Sequence, residues 1–158
     1  MQRPLYSPLH WGVEIAGAIV LLSLLSYLAL RWGDLPEKIP THYDFSGRPD
    51  AWGSKSAILY LPAVALLVWI LLTVVSFFPS IWNYPVKVTP RNAEFLYRCS
   101  LNLLLLLKFE LTILFSSVTC FAVNLKNLPV WLTPAALTVI FASVLFPVIK
   151  MVRQGRRL

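Results

Sequence analysis

His42, Asp44 and Asp50 are the residues of this chain best spaced for chemistry, and all three lie in one polar stretch, Asp34 to Lys55. In extended backbone His42 and Asp44 fall on the same face, because side chains alternate along a strand. An imidazole with two carboxylates could move protons or hold a hard or borderline metal, with Glu37 as a further oxygen ligand and zinc or manganese as the suited ion. The spacing matches no HExxH-like ligand pair, so these three are weak metal candidates and no metal or cofactor is assigned. The preferred reading is that they bond the backbone of their own turns, as short polar side chains do.

A second set of ionisable residues, Glu14, Lys108 and Glu110, sits inside long apolar runs. Charges in a hydrocarbon core are costly unless paired, which makes each of them a candidate functional residue. Lys108 and Glu110 are two positions apart and so point about 200° apart around a helix. Lys108 therefore needs another partner, and Glu14 is the carboxylate available in the other apolar runs. The preferred role of such a pair is to fix helix register rather than to form a proton path. Catalytic residues are assigned nowhere: there is no GxSxG, no phosphate-cradling glycine loop and no CxxC, and His10 and His42 are the two histidines.

The elements that must position these residues are membrane helices. Of 158 residues, 58% are hydrophobic and 13% charged, against about 25% charged in soluble domains; mean hydropathy is +0.69. Spanning helices need roughly 20 apolar residues, and four runs qualify: 11–30, 57–78, 99–125 and 130–149. The fold class expected is all-α, a single membrane domain over 1–158. It forms a four-helix bundle with helices at about 11–31, 56–78, 90–125 and 130–152, and an ordered external loop at 32–55 between helices 1 and 2. The first run is too long for a signal peptide, carries Glu14 and ends in no small-residue cleavage site. Cys99 and Cys120 would be roughly 30 Å apart on one helix and cannot bridge.

Turn chemistry dominates the loop: Pro40 forces extended backbone before it, and Ser46-Gly47 and Arg48-Pro49 are turn formers. Ser54 or Ser56 is expected to cap helix 2, and Thr89-Pro90 to start helix 3. Trp32, Tyr43, Trp52 and Tyr60 are expected to anchor the loop as an aromatic belt. Phe95 and Tyr97 would lie at the opposite interface, and Pro147 is expected to bend helix 4.

The net charge of +7 is placed where membrane proteins keep it rather than where nucleic acid would need it. With the N terminus inside, the cytoplasmic side receives Arg3, Lys87, Arg91, Arg98, Lys150, Arg153, Arg156 and Arg157. The outside receives Arg31, Lys38, Arg48, Lys55 and Lys126. This bias predicts cytoplasmic termini and an outward loop. The basic tail should favour anionic lipid heads. Membrane lipids are the expected partners, and nucleic acid is not.

The string LPEKIPTHYDFSGRPDAWGSK resembles the signature of a bacterial membrane domain of unknown function that forms the N-terminal part of SdpI-type immunity proteins, which protect cells from a secreted killing factor. The likeness spans roughly residues 15–62 and is carried by Pro36, Ile39, Pro40, His42, Asp44, Gly47, Asp50, Gly53 and Lys55. TPRNAEFLYR, 89–98, is similar to the stretch before the third helix of small stand-alone members. The resemblance implies a small prokaryotic inner-membrane protein, without the further C-terminal membrane domain of the full immunity proteins, and implies no catalytic activity. Three functions are weighed. The first is a binding or immunity-type protein whose loop recognises an extracellular peptide, a lipid or a partner. The second is an accessory subunit packed against a larger membrane complex. The third, more distant, is an enzyme or carrier using His42, Asp44 and Lys108.

Overall fold

The computed structural model describes residues 6–157; Arg3, counted in the charge balance, lies outside them. Four helices carry the chain: α1 (Pro8–Arg31), α2 (Tyr60–Ser76), α3 (Ala93–Val123) and α4 (Leu132–Gly155). Each lies in a helical stretch long and apolar enough to cross a membrane, so this is a multi-pass membrane protein. A helix is the form in which a single segment satisfies its own backbone in lipid.

The centre of the arrangement is α3. It packs along α1, α2 and α4, whereas α1 and α2 touch each other only sparingly. α4 leans chiefly on α3 and leaves Leu137, Phe141, Leu145, Phe146 and Ile149 exposed, the surface a lipid-facing helix presents. Pro147 lies inside α4, and the helix continues past it to Gly155.

α1 begins at a reciprocal cap. Ser7 Oγ accepts from His10 N at 3.3 Å, and His10 Nδ1 accepts from Ser7 N at 3.0 Å. With Nδ1 accepting, Nε2 carries the hydrogen of the neutral ring and donates to Asn102 Oδ1 at 2.7 Å. His10 thus pins the start of α1 to α3.

The expected all-α class needs correction in the segment between α1 and α2. It holds a two-stranded antiparallel hairpin, β1 (Lys38–Tyr43) and β2 (Pro49–Ser54). Lys38 pairs with Ser54, Ile39 with Gly53 and Pro40 with Trp52, then the register breaks around Thr41 before His42 meets Ala51. Such a bulge bends a strand and re-aims the side chains beyond it. The hairpin is fastened to the helices by Ile39 and Leu35, which are buried with Leu24, Leu28, Ile58, Ala122 and Val123 at one end of the bundle.

Several helix starts also move. The expected serine caps are not used: Ser54 and Ser56 bond each other at 2.9 Å, and residues Lys55–Leu59 form a 3-10 turn before α2. Helix α3 starts at Ala93 rather than at Pro90, because Thr89 and Asn92 close a turn on each other first. Asn92 is fully buried, and its amide donates to Lys87 O and Gly155 O. It thereby ties the loop and the end of α4 to α3. Tyr97, expected at the interface, is buried beside Tyr84 with ring centroids 5.7 Å apart. Burial, and secondarily Tyr97, push the Tyr84 hydroxyl well above the usual phenol range.

Candidate functional site

The hairpin's tip is built by Asp44. Its Oδ1 accepts from Ser46 N at 2.8 Å, Ser46 Oγ at 2.7 Å and Arg48 N at 2.9 Å. The Ser46 hydroxyl and then the Arg48 amide hold this carboxyl below the usual aspartate range. Gly47 N donates to Asp44 O at 2.9 Å, and Gly47 sits at φ +76°, a backbone state that glycine enters freely. A Cβ there would also run into the carbonyl oxygen of Leu128.

That closeness arises because the hairpin is latched to the α3–α4 loop. Leu128 N donates to Gly47 O at 2.8 Å. The chain reaches this position by turning left-handed at Leu125, φ 53°, as α3 ends. Across the hairpin, Gly53 is needed for another reason: a Cβ there would stand 2.7 Å from Thr41 Cγ2.

Bulge and latch together open a cleft of about 690 Å³ between the hairpin and the ends of α3 and α4. One side is apolar apart from Thr133, formed by Val118, Leu128, Pro129, Val130, Pro134 and Leu137; the other carries His42, Tyr43, Asp44, Phe45 and Asp50. His42 Nδ1 lies 2.6 Å from Asp50 Oδ1. An ionised carboxylate only accepts, so Nδ1 supplies the hydrogen and Nε2 remains for another partner. The Tyr43 hydroxyl is buried without a hydrogen-bond partner, and burial pushes it above the usual phenol range. Tyr43 therefore lines the cleft, whereas Trp32, Trp52 and Tyr60 are exposed.

Of the loop residues singled out from sequence, His42 and Asp50 come together, and Asp44 and Gly47 shape the turn. Pro40 is buried and Gly53 packs against Thr41. Lys55 donates its backbone N–H to Glu37 O at 3.0 Å, with its Nζ 5.2 Å from the Trp32 ring centroid. His42, Asp44, Asp50 and Glu37 do not converge as ligands. Among the described residues no group of three or more His, Cys, Asp or Glu is placed to hold a metal. The His42–Asp50 pair could relay a proton, but among the described residues no serine or cysteine lines the cleft beside it.

The ionisable residues within the helices form two separate arrangements. Lys108 Nζ lies 2.5 Å from Glu14 Oε1 and 2.9 Å from Thr73 Oγ1, with the Trp69 ring centroid at 4.7 Å. Ammonium, carboxylate, hydroxyl and ring face thus satisfy one another between α1, α2 and α3. Tyr6 adds contacts to Glu14 at 3.4 Å and to Ser76 at 2.8 Å. Glu110 faces the other way, toward α4, where Ser143 Oγ lies 2.8 Å from Glu110 Oε2. Thr73, Trp69 and Ser143 were not singled out from sequence; the only signal was polarity inside an apolar run, and hydroxyls and indoles are ordinary there.

Residues 18–66 match the family model of a domain of unknown function, DUF1648. The match takes in most of α1, the whole hairpin and the start of α2, so it contains His42 and Asp50 but neither Lys108 nor Glu110. An uncharacterized protein of Archaeoglobus fulgidus is 49% identical over 47 residues, 30% of this chain and 25% of that protein. The match thus spans about a quarter of the relative's length. No solved structure matches the chain. The stretch similar to the DUF1648 model, residues 18–66, includes the whole hairpin, and His42, Asp44, Gly47 and Asp50 within it line one wall of the cleft.

Proposed function

We propose that this is a prokaryotic inner-membrane binding protein of the SdpI-type immunity kind, whose hairpin cleft takes a cationic, apolar peptide segment from outside the cell. Both termini are then cytoplasmic and the 1–158 chain acts as one membrane domain. The observation that supports this reading is the make-up of the cleft. Its wall from α3, α4 and their loop is apolar apart from Thr133, while its hairpin wall carries two carboxylates and no Lys or Arg. Apolar pockets with a few convergent polar groups are the usual form of a binding site, and the sign of the charge selects the partner. Asp44 is engaged by its own turn, so Asp50, steadied by His42, is the acid left for a Lys or Arg side chain. The likeness of the hairpin to the immunity-protein signature supports the same direction, and the excess of Lys and Arg on the opposite side supports the orientation.

One labelling experiment tests site and orientation together. Phe45 is fully exposed at the cleft's edge, so Phe45→Cys is placed in a protein with Cys99 and Cys120 replaced by serine or alanine. An impermeant maleimide should label intact cells. A synthetic peptide of leucines and phenylalanines with one central arginine should slow that labelling in wild-type background and not in Asp50→Asn. Labelling only after cells are opened would reverse the orientation. Equal protection with the arginine replaced by glutamate would remove the charge-based reading.

A further inference from the structure

We infer that the peptide joins this protein as a third strand, extended along the free edge of β1 over residues 41–45 and hydrogen-bonded to it through its main chain. This mode of binding presupposes the peptide site proposed above. Thr41, His42, Tyr43, Asp44 and Phe45 follow one another along the cleft. Successive side chains of a strand leave opposite faces, so a single face of β1 cannot supply all five. His42 bonds Asp50 on the hairpin's exposed face. Tyr43 turns to the bundle, where it also lines a smaller cavity with Leu61, Thr119 and Ala122. Both nonetheless border the same cleft, so the edge between the two faces is what opens on it.

That edge is unpaired. Among the described residues β1 has one strand neighbour, β2, and an open edge displays N–H and C=O groups ready to take another strand. Asp44 N donates to Arg48 O across the turn. Main-chain groups alternate in direction along an antiparallel strand, so those of Tyr43 point to the open edge. Pro49, which stands opposite Tyr43, has no N–H to offer its carbonyl. Thr41, at the bulge, is paired with no residue of β2. Pro40, without an N–H, bounds the stretch on one side, and the turn at Gly47 bounds it on the other. At about 3.3 Å per residue, that leaves room for about five ligand residues.

The surroundings of the edge choose its occupant. Side chains of an added strand alternate between two faces, while its main chain supplies the hydrogen bonds. One set meets Val118, Pro134 and Leu137, which are apolar. The other shares the face of His42 and Asp50, where a Lys or Arg meets the carboxylate. A second copy of this chain, paired edge to edge, would bring its own Asp44 and Asp50 beside these, and like charges on facing strands repel. A cationic segment brings the opposite sign.

The test varies the peptide and keeps one protein, the full chain with Phe45→Cys and with Cys99 and Cys120 replaced, in phosphatidylcholine liposomes. A seven-residue peptide, leucines and phenylalanines around a central arginine, is N-methylated at one residue at a time. Methylation removes an N–H, and only every second N–H of an added strand points to β1. Protection of the introduced cysteine from maleimide should fall about tenfold or more at alternate residues and stay within about twofold at those between. A carbon-13 carbonyl in the bound peptide should absorb in the amide I range of paired strands. Loss at every residue, at none or with a helical period overturns the strand, and so does a helical amide I band. In each of those cases the unmodified peptide still protects, so the binding site stands without the strand. No protection by the unmodified peptide removes the site and the strand together. Disulfide-linked dimers through the introduced cysteine, suppressed by no peptide, would give the edge to a second copy and overturn the proposal.

Discussion

Two acid–base pairs in this molecule have nearly the same geometry and opposite surroundings. Lys108–Glu14 closes at 2.5 Å with side chains 2% and 10% exposed, and His42–Asp50 closes at 2.6 Å with side chains 69% and 46% exposed. The contact distance therefore says little about what either pair contributes. In the first, both charges have left water and each is the other's main solvation. In the second, water can replace either partner, so the pair costs little to break and is free to engage something else. Burial, not distance, decides which of the two pairs is costly to break.

The sharpest way to test that contrast is to cut the buried pair. Lys108→Met leaves Glu14 with Tyr6 alone as a donor, while Glu14→Gln leaves Lys108 with Thr73 and the Trp69 ring. Breaking a desolvated pair on one side typically costs about 3–5 kcal/mol. Lys108→Met should fall in that range, and Glu14→Gln below it. The double variant should recover part of the loss. Unfolding in detergent gives the cycle, and additive single effects would show that the two charges do not interact.

A smaller effect is expected where the hairpin meets the α3–α4 loop. Gly47→Ala would force a side chain into a left-handed backbone and against the Leu128 carbonyl. Strain of this kind costs about 1–3 kcal/mol, and here the chain can relieve it by releasing the Leu128–Gly47 hydrogen bond. Faster hydrogen exchange at the Leu128 amide, with the exchange of α3 unchanged, would place the loss at the latch. Unchanged exchange at Leu128 would mean that the two loops are not coupled through this bond.

The four spans are legible in sequence because length and apolarity alone specify them, and the need of Lys108 for a carboxylate follows from the cost of a charge in lipid. The hairpin is not legible in that way. Its strands carry Pro40 and Pro49, its register breaks at Thr41, and its residues do not alternate cleanly between apolar and polar. The turn residues around Gly47 can be read, but not the strand pairing that they close. Nor can sequence show that Gly47 meets Leu128, a contact between distant loops, and without it half of the cleft is missing. Ser143 was illegible for a different reason: a serine in an apolar helix ordinarily bonds its own backbone, and only the facing Glu110 makes it informative.

The smallest stability change, and the one that separates the two pairs most cleanly, is expected at His42. Exposed ion pairs contribute about 0–1 kcal/mol, so His42→Ala should leave the melting temperature within the small shift such a value implies. Asp44, not His42, holds the turn through Ser46 and Arg48, so the hairpin should keep its shape. A bound metal would behave otherwise, because a ligand that binds only the folded state raises the melting temperature and its removal lowers it. Chelator should therefore leave wild type and His42→Ala alike, in keeping with the lack of a third ligand beside His42 and Asp50 among the described residues. If chelator lowers the melting temperature of wild type and His42→Ala abolishes that response, the exposed pair is part of an ion site and the contrast drawn from burial fails. If neither protein responds, any loss of peptide protection in Asp50→Asn belongs to recognition rather than to folding.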